Sequence, residues 1–207
     1  MKNSCSSHRR RQARVRGALA AVVIAAITAS PSLASAATTT AANCTMPTLS
    51  TPFASFGDDS QYALVPGEAL NSFTGTGWTL TGGASIVTTT LYDGTTTGSV
   101  LDLPAGSKAV SPLMCVDNDF PSVRTMIRQL TGRVGVTIEA TLAGASTPIS
   151  SSTIHAQTPG SWGLSGEFHT QLADQTGWQL VQFTLLPGGT SGESQIYNLY
   201  VDPRYSD

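Results

Sequence analysis

The chain has 207 residues, 12% of them charged, with 11 Lys and Arg against 13 Asp and Glu for a net charge of −2. Six of the basic residues (Lys2, Arg9, Arg10, Arg11, Arg14 and Arg16) lie in the first 16 positions, and every acidic residue lies at Asp58 or later, so the remainder carries a balance of −8. These counts exclude a basic nucleic-acid binder, a charge-rich coiled coil or helical bundle and, because only one long apolar run exists, a polytopic membrane protein.

Residues 1–17 are basic and polar, residues 18–27 are apolar, Ser30 and Pro31 end the run, and Ala34-Ser35-Ala36 follows. A positive start, a short apolar middle and a small-x-small close predict a signal peptide over residues 1–36, cleaved near Ala36. As a helix the apolar run would span about 15 Å, half of a ~30 Å hydrocarbon core, which argues against a membrane anchor. Arg9-Arg10-Arg11-Gln12 lacks the apolar residues that follow a twin-arginine pair, so the general export route is expected. Residues 37–43 read as a flexible leader and residues 44–207 as a single domain, with the product secreted and monomeric.

Cys5 leaves with the signal, and Cys44 and Cys115 remain. An even count in an exported chain makes one disulfide the default. The alternatives are two free thiols or a metal pair. Two cysteines do not make a zinc site, and His155 and His169 are not at ligand spacing.

Beyond Cys44 the sequence reads as strands and turns. Short strands are predicted at 62–65, 78–80, 84–89, 99–103 and 108–116. Residues 122–130 carry Val123, Met126, Ile127 and Leu130 at helical spacing, yet they lie between Pro121 and Gly132 and are strand-length, and strand is favoured. Residues 133–142 alternate strictly, with Val134, Val136, Ile138, Ala140 and Leu142 on one face. Strands follow at 147–155 and 178–186. A final strand is expected to place Tyr197, Leu199 and Val201 on one face and Ile196, Asn198 and Tyr200 on the other. Pro66-Gly67, Gly82-Gly83, Asp93-Gly94, Pro159-Gly160 and Pro187-Gly188-Gly189 punctuate them, because Gly accepts positive φ and Pro fixes φ. Roughly eight to ten antiparallel strands with this spacing predict an all-β fold, a β-sandwich or jelly roll.

Several motifs occur in order: Phe56-Gly57-Asp58, Tyr62-Ala63-Leu64-Val65-Pro66-Gly67, Gly77-Trp78-Thr79-Leu80-Thr81-Gly82-Gly83, Leu103-Pro104-Ala105-Gly106, Ser111-Pro112-Leu113-Met114-Cys115-Val116 and Tyr197-Asn198-Leu199-Tyr200-Val201-Asp202-Pro203. Together they resemble secreted bacterial single-domain proteins of unassigned function, which are similar to carbohydrate-binding modules with the galactose-binding-like jelly roll. The resemblance implies a β-sandwich and a glycan as partner. It also implies a structural calcium held by an acidic residue after the Phe before Gly-Trp and by Asp-Asp in the last strand. Here Thr74 follows Phe73, and Asn198-Leu199 stands at the second place. No cofactor is therefore expected. A calcium ion, which wants six to eight oxygens, would have to draw on Asn198, Asp202 and backbone carbonyls.

Sugar binding needs aromatic faces for stacking and a few directed polar groups. Trp78 and Trp178 read as core. Trp162, in the turn-rich Pro159-Gly160-Ser161-Trp162-Gly163, is the expected platform, with Tyr92, Tyr197 and Tyr200 next and with Glu167, His169 and Gln171 for polar contacts. The expected ligand-binding set is Trp162, Glu167, His169 and Tyr200. There is no Gly-x-Ser-x-Gly elbow, zinc helix or phosphate loop. A glycosidase pair would have to come from Glu139 and Glu167. The expected function is a non-catalytic, secreted glycan binder; the alternative is a structural or adhesive envelope protein that uses sandwich edges or loops for protein contacts, and an enzyme comes third.

Overall fold

In a computed structural model, the described residues are Cys44, 46–117, 122–132, 135–170 and 177–204. The signal and leader segments 1–43, Arg133, Val134 and Gln171 lie outside them, as do the expectations placed on those residues. No helix among the described residues is long and apolar enough to cross a membrane.

The strands are β1 Ala63–Leu64, β2 Glu68–Ala69, β3 Ser72–Phe73, β4 Thr79–Thr81, β5 Ser85–Thr90, β6 Thr97–Leu103, β7 Lys108–Val110, β8 Met114–Val116, β9 Ser122–Thr131, β10 Val136–Leu142, β11 Ser150–Ile154, β12 Gly163–Leu164, β13 Phe168–His169, β14 Gln179–Pro187 and β15 Glu193–Asp202. A seven-stranded sheet runs β12-β9-β15-β6-β5, with β1 also on β15 and β13 also on β9. A six-stranded sheet runs β11-β10-β14-β7-β4, with β8 also on β14, and β2 and β3 form a separate hairpin. The pairings are antiparallel. The fold is a β-sandwich with one disulfide, Cys44–Cys115.

The core lies between the sheets. Leu101, Leu103, Val123, Ile127 and Ile196 of the larger sheet meet Val136, Ile138, Ala140, Val181, Phe183 and Leu185 of the smaller. Alternation in β10 and β14 puts one face inward, and each fully buried large side chain contributes about 1.5–3 kcal/mol. The segment 122–130 is strand, not helix. Its helical-looking spacing arises because both faces of β9 are covered: Val123 and Ile127 join the main core, while Met126 joins a second cluster on the outer face of the larger sheet.

Three differences from the sequence reading have local causes. The predicted strand 108–116 is two strands, β7 and β8, split at Ser111-Pro112-Leu113; Pro112 has no N–H to give a ladder. The two-residue strands β2, β3, β12 and β13 are too short to show a period. In β15 the alternation changes phase at a bulge between Tyr197 and Tyr200, where Asn198 has φ 55°. One extra residue exchanges the faces. Ile196, Leu199 and Val201 point into the main core, and Tyr197 and Tyr200 both join the outer cluster with Phe53, Tyr62, Leu91 and Val100.

Candidate functional site

The outer face of the larger sheet carries a groove. Its floor is Met126 of β9 and Tyr197 of β15, and its walls are the segment around the one-turn 3-10 helix Ala54–Phe56, the turn after β5, the β2–β3 hairpin and the loop before β12. Two cavities open from it, of about 260 and 380 Å³, and Phe56 and Tyr92 line both. These two rings form a ridge, 5.1 Å apart between centroids and tilted by 57°. Tyr92 is 54% exposed and Phe56 37%, so each offers ring surface to a ligand.

Local chemistry fixes the ridge. Asp93 accepts the Thr95 and Thr96 N–H groups at 2.9 and 2.7 Å and the Thr96 hydroxyl, and Leu91 N–H closes the turn on Thr96 O. The Thr96 hydroxyl and the two amides push the Asp93 carboxyl down to about 2, so it stays ionised. Gly94, at φ 72°, lets the chain reverse. Tyr92 N–H donates to the Tyr197 hydroxyl at 3.2 Å. Phe56 leaves its 3-10 turn through Gly57 at φ 81°, whose N–H donates to Ala54 O.

Trp162 lies in the wall of the larger cavity. Its indole N–H donates to Thr90 O at 2.9 Å, the Arg128 guanidinium carbon sits 4.7 Å from its ring centre, and Tyr197 meets it edge-on at 4.9 Å. Its donor and much of its ring are thus committed within the protein, and the free aromatic surface belongs to Tyr92 and Phe56. Tyr200 is only 5% exposed and packs edge-on against Phe53. The β15 bulge turns it beneath the 53–62 segment, so it supports the groove from below. Trp78 is core, its indole N–H donating to Pro66 O at 2.9 Å; Trp178 is half-buried.

Glu167 and His169 come together outside the lining of both cavities, with His169 Nε2 3.4 Å from Glu167 Oε2. Arg124, which lines the larger cavity, lies 3.9 Å from Glu167 Oε1, bonds Asp58, and donates through Nε and Nη2 to Ser165 O. Burial raises the Asp58 carboxyl, but Arg124, the Tyr62 hydroxyl at 2.8 Å and the Ser60 N–H outweigh it and leave the carboxyl below its ordinary range. Three of the five N–H groups of Arg124 are thereby engaged, and the groove also presents ring faces, amides and hydroxyls, with Gln157, Thr158 and Ser161 beside Trp162.

Asn198 and Asp202 do not fit a shared calcium ion. Four residues along a strand separate them by about 13 Å. The Asn198 amide is tied to Asn71, and Asp202 Oδ1 accepts the Arg204 N–H. Among the described residues no group of three or more His, Cys, Asp or Glu converges to hold a metal. Glu139 and Glu167 lie on different sheets. Glu139 sits in β10 of the six-stranded sheet between Thr184 and Ser151, and Glu167 follows β12 of the other sheet. Sequence reasoning missed Phe56 and Asn71 as groove residues. The Phe56-Gly57 pair was their nearest signal, because a Gly after an aromatic closes the turn that turns the ring outward.

No protein-family model matches the chain, and no curated protein sequence does either. Solved structures are similar in fold. A family 6 carbohydrate-binding module from Clostridium stercorarium, in complex with cellobiose, matches 62% of this chain and 87% of its own at 14% identity and TM-score 0.41. The family 11 module from Clostridium thermocellum, in complex with a β-1,3-1,4-mixed-linked tetrasaccharide, matches 70% and 96% at 12% identity and TM-score 0.38. An exo-β-agarase matches 64% of this chain and 24% of its own at 11% identity and TM-score 0.42.

Proposed function

We propose that the protein is a secreted, non-catalytic glycan binder of the carbohydrate-binding-module type, with the outer-face groove as its ligand site. The exposed Phe56–Tyr92 ridge between two cavities supports this reading most directly. A pyranose ring has an apolar C–H face that stacks on such a ring, and its hydroxyls need the amides and hydroxyls on either side. Affinity electrophoresis and sedimentation with a panel of soluble and insoluble polysaccharides test it. Tyr92→Ala is expected to weaken binding by about 2 kcal/mol, roughly 30-fold, and Trp162→Ala by less, because Trp162 is held by Thr90 and Arg128. Failure of the wild-type protein to bind any polysaccharide, or equal binding by Tyr92→Ala, refutes the reading.

A second reading rests on β5. This outermost strand of the larger sheet has six residues without a charge, Gly or Pro and no strand on its far side among the described residues. Such an edge accepts a strand from another chain. A structural or adhesive role predicts a protein partner cross-linked through this strand on intact cells, and a purely glycan-binding role predicts none.

A further inference from the structure

Building on the glycan-binding reading, we infer that the smaller cavity of the groove is a subsite for an acetamido substituent, which makes N-acetylated amino-sugar chains the ligand class of this protein.

Position is the first reason. This cavity, at about 260 Å³, opens beside Tyr92, which also faces the larger cavity, so a group projecting from a sugar stacked on the ridge reaches it.

Lining is the second. Phe53, Leu70, Leu91 and Met126 supply an apolar wall, and Leu70 stands 66% exposed at the rim. A sugar hydroxyl placed against that wall would give up water without gaining a partner. A methyl group would gain by the same move.

The polar edge of the cavity supplies the complement. Asn71 and Asn198 both line it. The Asn71 backbone N–H donates to Asn198 Oδ1 at 2.7 Å, which fixes the orientation of the Asn198 amide, since an N–H must meet an oxygen. Asn198 Nδ2 then donates to Asn71 Oδ1 at 3.0 Å. The Asn71 amide is thereby oriented too, and its Nδ2 has no partner among the described residues, on an exposed residue at the cavity edge. One donor beside an apolar wall matches a carbonyl next to a methyl, which is an acetyl group. The ionised Asp93 at the same cavity opposes a carboxylate there.

Backbone conformation marks the same place. Among the described residues, Asn71 at φ 59° and Asn198 at φ 55° are the two non-glycine residues with positive φ. Such conformations cluster where a surface is shaped for a ligand. Each carries an amide into the same cavity.

Calorimetry on the whole protein with the β-1,4-linked tetramers of N-acetylglucosamine and of glucose tests the inference, because the two differ only at the C2 substituent. The acetylated tetramer is expected to bind at least tenfold more tightly. Asn71→Gly keeps the left-handed backbone and removes the amide, and it is expected to lose that preference. Leu70→Asn, a change at an exposed rim residue that leaves the core untouched, is expected to reduce it as well. Equal or tighter binding of the glucose tetramer overturns the acetamido subsite while leaving glycan binding intact. A preference that survives in both variants overturns its placement in this cavity. If neither tetramer binds, the inference falls, and the polysaccharide panel with Tyr92→Ala decides the broader reading separately.

Discussion

Glu68→Gln is expected to abolish a loss of stability that the wild-type protein suffers as pH rises. Glu68 lies on β2, and its Oε2 accepts the Leu199 N–H at 3.1 Å across the β15 bulge. The residue is half-buried, yet Oε1 is sealed from solvent and has no hydrogen-bond partner among the described residues. Burial pushes the carboxyl up to about 8 from an ordinary 4.5, against the opposing pull of the Leu199 and Asn198 amides. The sign follows from proton counting. The folded state keeps a proton that the unfolded chain releases above its own pKa, so stability is fully present below about pH 4.5 and is lost as pH climbs through about 8. At about 1.4 kcal/mol for each pKa unit, the loss is on the order of 3–5 kcal/mol. Urea unfolding across this range measures it. The wild-type free energy should fall steeply, and the variant should lack that component. Asp202, raised to about 6 by burial and by the nearby Asp58 and Glu167 charges, gives both proteins a smaller fall at lower pH. Parallel profiles for wild type and variant would show that Glu68 ionises freely and that the bulge does not depend on its proton.

Replacing both Cys44 and Cys115 with Ser is expected to cost about as much. The bond closes a sequence separation of 71 residues and fastens the start of the described chain to β8, which pairs with β14. Closing a loop of that length removes roughly 4 kcal/mol of conformational freedom from the unfolded chain in the entropy model. For a domain of this size that corresponds to about 10–15 °C in Tm. Calorimetric melting of the double variant, or of the wild type under reductant, measures it. A shift of a degree or two would mean that the unfolded chain is already restricted, or that the segment from Cys44 to β1 contributes nothing to the sandwich.

Much of the sandwich was legible because its signals are local. Val136, Ile138 and Ala140 alternate with polar neighbours, and β10 follows that alternation inward and outward. Glycines and prolines at the turns act through their own φ preferences. The disulfide followed from a count of two. The last strand was misread from Asn198 onward for an equally definite reason. A bulge is one residue inserted against a partner strand, and β9 is far away in sequence. Nothing in Tyr197-Asn198-Leu199 marks it except an Asn, which tolerates the left-handed region.

The candidate site divides the same way. The turn-rich loop marks Trp162 as a surface aromatic, but the groups that occupy it, Arg128 and Thr90, arrive from other strands. Tyr200 looked available on a strand face and is covered by Phe53, a residue from the other end of the domain.

The sequence by itself determined most of the longer strands, the turns, the class of fold and the pair of cysteines, because periodicity, φ restriction and parity are properties of neighbouring residues. Tertiary structure alone decided that the larger sheet is covered on both faces, that Phe56 and Tyr92 meet as an exposed ridge, that Asn71 and Asn198 share a cavity, and that the Glu68 carboxyl is sealed behind a bulge. Each of these depends on residues that chain folding brings together from far apart, and burial and pairing across such distances have no local signature to read.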